Sequence, residues 1–156
     1  MVQIIVFPIH IATTEDLVYY PFSPSINLIP FNFGTCTLSN LRFCLENIYG
    51  NLLLTVPFGF GIPLLARFKP RRIFWIAVLT GLTLEGTQLT LSLLFKSAFR
   101  TIDINDVILN GTGVLLGYGL FVGFSKIYLT ALKKFSLNPT GIFGYLQEIG
   151  LQHTLT

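Results

Sequence analysis

Charge is scarce in this chain. Asp, Glu, Lys and Arg make up 11% of its 156 residues, about half the usual globular share. With 52% hydrophobic residues and a mean hydropathy of +0.69, the balance points to lipid as the solvent. Histidine is limited to His10 and His153, at opposite ends of the chain, which leaves no basis for a histidine base or a histidine metal site. No G-x-S-x-G elbow, P-loop or dinucleotide fingerprint is present. Three carboxylates and an arginine could support acid–base chemistry or a divalent ion, but nothing in their spacing requires either, and neither a cofactor nor a metal ion is expected. Cys36 and Cys44 are the only cysteines, and their spacing matches no metal pattern. Two free thiols are the default reading; pairing would require an extracytoplasmic segment. The formal charge is +3, but the basic residues flank apolar runs and are not interleaved with aromatics on a soluble face. No nucleic-acid partner is therefore expected.

What remains is long apolar segments with polar residues at chosen places. Residues 1–12 are apolar but short: a helix of that length spans ~18 Å against ~30 Å of hydrocarbon. They read as the trailing end of a span whose beginning is missing, or as a half-inserted segment. Residues 13–39 carry Pro21, Pro24 and Pro30, too many for a continuous helix. Within them Ile26 to Phe31, INLIPF, is an apolar patch suited to the interface or to docking back on a bundle. Leu38 to Glu46 suits a short lead-in helix. Three full spans come next, Ile48–Phe68, Ile73–Phe95 and Ile104 to about Ser125. Pro57, Gly59, Gly61 and Pro63 predict a kink or a locally unwound turn in the first. The tail contains an amphipathic piece, Ile142–Leu151, suited to the membrane surface. The expected fold is an all-α integral membrane protein. It is a bundle of three full transmembrane helices plus an incomplete N-terminal helical segment, organised as a membrane domain over 1–135 and a cytoplasmic or interfacial tail over 136–156.

Arg67, Lys69, Arg71 and Arg72 crowd one short connection, and Lys126, Lys133 and Lys134 follow the last span. Positive charge in short loops marks the cytoplasmic side. Segments 13–47 and 96–103 then face outside, and the two assignments agree.

Against this background the stretch Phe99 to Gly117 stands out. It sets Arg100, Asp103, Asp106 and Asn110 at the mouth of the third span, the last three on one helical face. Glu85 lies near the middle of the second span, where an acid costs ~2.5–3.5 kcal/mol even on insertion-derived scales. At 1.5 Å per residue, Asn51, Gln88 and Asn110 fall in the outer half of the bilayer, with Glu85 beneath them and Arg100, Asp103 and Asp106 above. The expectation is one polar pocket open to the outside. Plainer roles compete at each position: Asp103 as a helix N-cap with Asp106 near N3, the amides as interhelical glue, Arg100 as a partner for an aspartate. Gly113–Gly117 and Gly119–Gly123 read as helix packing contacts.

Four motifs in order resemble the VanZ-like family of bacterial membrane proteins: INLIPF; the N-x-x-x-N-x-x-x-x-x-P-F-G-F pattern at Asn47, Asn51 and Pro57–Phe60; E-x-x-Q at Glu85 and Gln88; and R-x-x-D-x-x-D-x-x-x-N-x-x-G from Arg100 to Gly113. The match is best over 26–120. The resemblance implies a multi-pass protein of the bacterial cell membrane, associated with resistance to the glycopeptide teicoplanin. Within that context the residues themselves suggest an outward-facing pocket for an amphiphilic, lipid-linked or glycopeptide ligand, formed by Asn51, Glu85, Gln88, Arg100, Asp103, Asp106 and Asn110, with membrane lipids as further partners. Two other readings use the same residues: a membrane hydrolase or transferase working through Glu85, Asp103 and Asp106, and a proton-coupled transporter working through Glu85.

Overall fold

A computed structural model describes residues 26–33, 36–66, 68–94 and 102–154. Residues 1–12, and with them the expectation of an incomplete first span, lie outside these. The described residues form a two-residue strand β1 (Ile26–Asn27), helix α1 (Leu41–Leu65) led in by a 3₁₀ turn at Leu38–Asn40, and helix α2 (Pro70–Leu94). After these come strand β2 (Ile102–Asp103), helix α3 (Ile104–Lys134) and helix α4 (Ile142–Thr154). The first three helices, of 25, 25 and 31 residues, are long and apolar enough to cross a membrane. At 1.5 Å per residue they reach ~37, ~37 and ~46 Å, against ~30 Å of hydrocarbon.

The packing is that of a protein dissolved in lipid. Leu53, Phe58, Trp75, Leu79, Leu82 and Leu120 are exposed on the helix surfaces, whereas Asn51, Thr55, Glu85, Asp106 and Asn110 are buried. Water offers no reason to hide amides and show leucines; hydrocarbon does, because a polar group there must find a partner inside the protein.

Helix α3 is the hub. It runs parallel to α1: Asn47 meets Asp106, Thr55 meets Asn110, and Phe60 meets Phe121 edge-on with ring centroids 5.7 Å apart. It runs antiparallel to α2, where Gly81 lies against Val107 and Gly111 against Ala77. Among the described residues, α1 and α2 come together only near their connection, where Ile62 and Ile73 join Ala77 and Val114 in a small core. This geometry puts the basic 69–72 connection and the lysines of 126–134 at one end, as the charge bias requires.

Along the α1–α3 seam the chemistry changes halfway. Near the start of α3 the contact is polar, with Asn47, Asn51 and Thr55 at four-residue spacing facing Asp106 and Asn110. Deeper along the seam it is glycine. A Cβ at Gly113 would strike the Leu52 carbonyl, one at Gly117 the Val56 carbonyl, and one at Gly59 the Val114 backbone. Gly113 and Gly117 thus pack as their spacing predicts. Gly119 and Gly123 do not: nothing lies within 4 Å of where their Cβ atoms would be. They sit on a face of α3 turned from both neighbours.

Two further expectations change, and α4 packs on the bundle. Helix α1 runs unbroken through Pro57 and Pro63, with no unwound turn and no separate lead-in helix. Pro57 sits on the exposed side and Pro63 is buried, and close packing on α3 through Gly59 holds the helix on both sides of the first. Cys36 and Cys44 are joined in a disulfide and not left as thiols. The bond ties the segment before α1 to its first turn, at the end opposite the lysines. Helix α4 folds back antiparallel along the second half of α3. Tyr128 donates to the Phe143 carbonyl at 2.9 Å, Tyr145 to the Leu64 carbonyl at 2.7 Å, and the Tyr118 hydroxyl meets His153 Nδ1 at 3.2 Å. Ile149 and His153 are buried against α3.

Candidate functional site

The polar groups gather where α3 begins. Asp103 is the α3 N-cap, its Oδ1 accepting the Asn105 N–H at 2.9 Å, which satisfies one of the donors that every helix start leaves over. The same oxygen accepts from Asn105 Nδ2 at 2.8 Å and from Asn27 Nδ2 at 3.1 Å. Asn27 also pairs with Asp103 through the parallel β1–β2 bridge. Asp106, two residues into the helix after Ile104, is buried and accepts from Asn47 Nδ2 at 3.3 Å. Its negative charge suits the positive end of the α3 dipole.

Glu85 stands beside Asp103, not below it. Its Oε1 accepts the Asp103 N–H at 2.8 Å, so an acid from α2 closes the first turn of α3. Depth counted from the end of each span places Glu85 too low. Helix α2 overshoots the start of α3, so Glu85 rises to the rim and Gln88 stands a turn further out. Two levels result: Glu85, Gln88, Asp103, Asn105 and Asn27 at the rim, and Asp106, Asn47, Asn51, Thr55 and Asn110 one to two turns deeper.

The deeper level holds two incomplete amides. Asn110 Nδ2 donates to the Asp106 carbonyl at 2.8 Å, and Thr55 Oγ1 donates to the Asn110 carbonyl at 2.7 Å. This fixes the orientation of the Asn110 side chain and leaves its Oδ1 buried with no partner among the described residues. Asn51 Nδ2, at the same height on the facing helix, is in the same position. Both residues are 1% exposed. One is a donor and the other an acceptor. At the rim, Gln88 Oε1 is likewise buried without a partner among the described residues.

Six of the seven residues that the sequence pattern singles out fall at one end of the bundle. The seventh, Arg100, lies outside the described residues. Asn105, which that pattern does not single out, makes three side-chain hydrogen bonds at the rim. It is buried, and its Oδ1 accepts the Phe31 N–H at 2.6 Å while its Nδ2 donates to the Asn32 carbonyl at 3.2 Å. It holds the INLIPF segment by its backbone and leaves Leu28, Ile29 and Phe31 exposed. The turn there has Pro30 and then Phe31 at φ 62, a left-handed conformation that a large side chain adopts at a cost. Asn105 offsets that cost. Its signal in the sequence is an Asn-Asp pair placed together at a helix start.

No curated protein and no solved structure matches the chain. The VanZ/LLP1 family model matches residues 1–127, a range that takes in β1, α1, α2 and most of α3. By that match the chain, a multi-pass membrane bundle with its polar residues collected at one end, belongs to the VanZ/LLP1 family.

Proposed function

We propose that this chain is a bacterial cell-envelope protein contributing to glycopeptide resistance of the teicoplanin type, by holding the polar part of an amphiphilic or lipid-linked ligand at the outward-facing end of its bundle. The observation that carries the reading is the Asn51–Asn110 level, where an orphan donor and an orphan acceptor face the same seam. In hydrocarbon an unsatisfied polar group costs several kcal/mol. A ligand group that both accepts and donates, a hydroxyl or an amide, answers both. The outward orientation rests on the basic loops at the opposite end and on the Cys36–Cys44 disulfide, which belongs to an oxidising compartment. Asp103 and Glu85 accept backbone N–H groups. That favours carboxylates acting as fixed acceptors over carboxylates exchanging protons in turnover.

The test is antibiotic sensitivity in a deletion strain carrying variants. Arg100→Ala and Asp106→Ala restore sensitivity to teicoplanin while the amount of protein in the membrane stays unchanged. Full resistance in both retires the site. Glu85→Gln separates this reading from an enzyme, since an amide oxygen still accepts the Asp103 N–H whereas acid–base turnover would collapse.

A further inference from the structure

At the other end of the molecule, the last turns of α3, the turn beyond them and α4 border an open cavity of about 450 Å³, within the range of small-molecule sites. Leu132, Leu137 and Leu151 line it together with Lys133, Asn138 and Gln147. The shape comes from the way α3 stops. Leu137 N–H donates to the Leu132 carbonyl at 3.0 Å and Ser136 N–H to the Lys133 carbonyl at 3.3 Å. This is a Schellman ending, which turns Leu137 back under Leu132 and swings the chain round to α4. Around the cavity the charge has one dominant sign. From Lys126 onward the chain has three lysines and a single acid, Glu148, and Lys126 and Lys134 border a second groove alongside.

Depth decides what can enter. Helix α3 is 31 residues long, ~46 Å against ~30 Å of hydrocarbon, so its last turns stand among the headgroups. We infer that this cavity is a site for an anionic phospholipid of the cytoplasmic leaflet. The phosphate sits at the Lys133 ammonium, the headgroup hydroxyls meet Asn138 and Gln147, and the first methylenes lie on the leucine walls. Diffuse attraction of lysines to an acidic surface needs no cavity. A cavity lined by both leucines and hydrogen-bond donors selects one lipid molecule. The inference is independent of the ligand site at the opposite end.

The full chain, purified in neutral detergent, is titrated with phosphatidylglycerol or phosphatidylcholine, and bound lipid is counted by native mass spectrometry. Phosphatidylglycerol binds at least about tenfold more tightly. Lys133→Gln weakens it about fivefold, the effect of one lysine near an acidic surface. Gln147→Trp fills the cavity at unchanged charge and abolishes binding; Asn138→Trp is the second filling variant should the first unfold, as judged by thermal melting. Equal affinity for the two lipids overturns the proposal. So does retention of phosphatidylglycerol by folded filling variants, which would mean charge alone, or its displacement by millimolar inorganic phosphate, which would mean a free-anion site.

Discussion

Asn105→Ala is the most direct test of how the INLIPF segment is held. The side chain makes two bonds that cross from α3 to that segment, to Phe31 N at 2.6 Å and to the Asn32 carbonyl at 3.2 Å. Each is worth about 0.5–1.5 kcal/mol net, so the pair contributes roughly 1–3 kcal/mol. The lower figure applies if water reaches the freed groups. The left-handed Phe31 adds to the loss, since nothing then compensates its backbone. The β1–β2 bridge and the Asn27–Asp103 bond remain, and Asp103 keeps its cap to the backbone N–H of residue 105. The variant therefore folds, with a loosened segment and an intact bundle. Hydrogen exchange by mass spectrometry on the detergent-solubilised chain reads this directly: an opening free energy reduced by about 1–3 kcal/mol speeds exchange by about 5- to 150-fold. The acceleration is confined to peptides covering 26–33, while those covering 110–120 in the α1–α3 seam do not change. Unaltered exchange over 26–33 would refute the assignment and leave the bridge and the Asn27–Asp103 bond holding the segment. Acceleration across the seam as well would show that Asn105 supports the whole bundle.

Two nearby glycines of α3 should respond oppositely to an added methyl. Gly117→Ala drives it into the Val56 carbonyl and the Phe60 amide; overpacking of this kind costs about 1–3 kcal/mol and lowers the thermal midpoint in detergent. Gly119→Ala meets nothing and, by helix propensity, gains up to about 1 kcal/mol. Ser136 holds φ 50 at the position where glycine has no Cβ penalty, so Ser136→Gly stabilises by about 0.5–1 kcal/mol in the same assay. Burial against Tyr118 and Phe121 holds the His153 imidazole below its ordinary pKa of 6.5, which means that docking prefers the neutral ring. Docking of α4 is at full strength above that value and weakens as the pH falls through it towards the lower docked-state pKa. Limited proteolysis within 142–154 accelerates on that side, and His153→Phe removes the pH dependence.

The spans, their order and the end at which polar residues collect are legible in the sequence because hydropathy and charge bias act residue by residue. The features that are not legible depend on how one helix slides past another. Glu85 looks submerged when depth is counted along α2 alone; its level is set by β2, which no local pattern announces. Asn105 is hidden by its neighbours, since Asp103 and Asp106 invite a charge-based reading and its own work is to hold a backbone 74 residues away. The same spacing that makes Gly113 and Gly117 contacts suggests Gly119 and Gly123, and only the placement of α1 separates them. Pro57 and Pro63 carry a local signal for an unwound turn, which the continuous α1 does not contain. Cys36 and Cys44 pair because the 3₁₀ turn at Leu38–Asn40 folds the chain back between them, a turn with no distinctive composition.

Because α1 and α2 each lean on α3 and barely on one another, the order of synthesis has a cost. The ribosome delivers both earlier spans before the strut that joins them exists. Until Ile104 and the helix behind it have entered the bilayer, Asn51 and Thr55 lack, among the described residues, the α3 surface they turn towards, and Gly59 and Gly81 lack the backbone that packs on them. Chains stopped short of that point should be recognised as orphans by membrane quality control. Supplying the missing strut in trans, as a separately expressed 102–156 fragment, should rescue them.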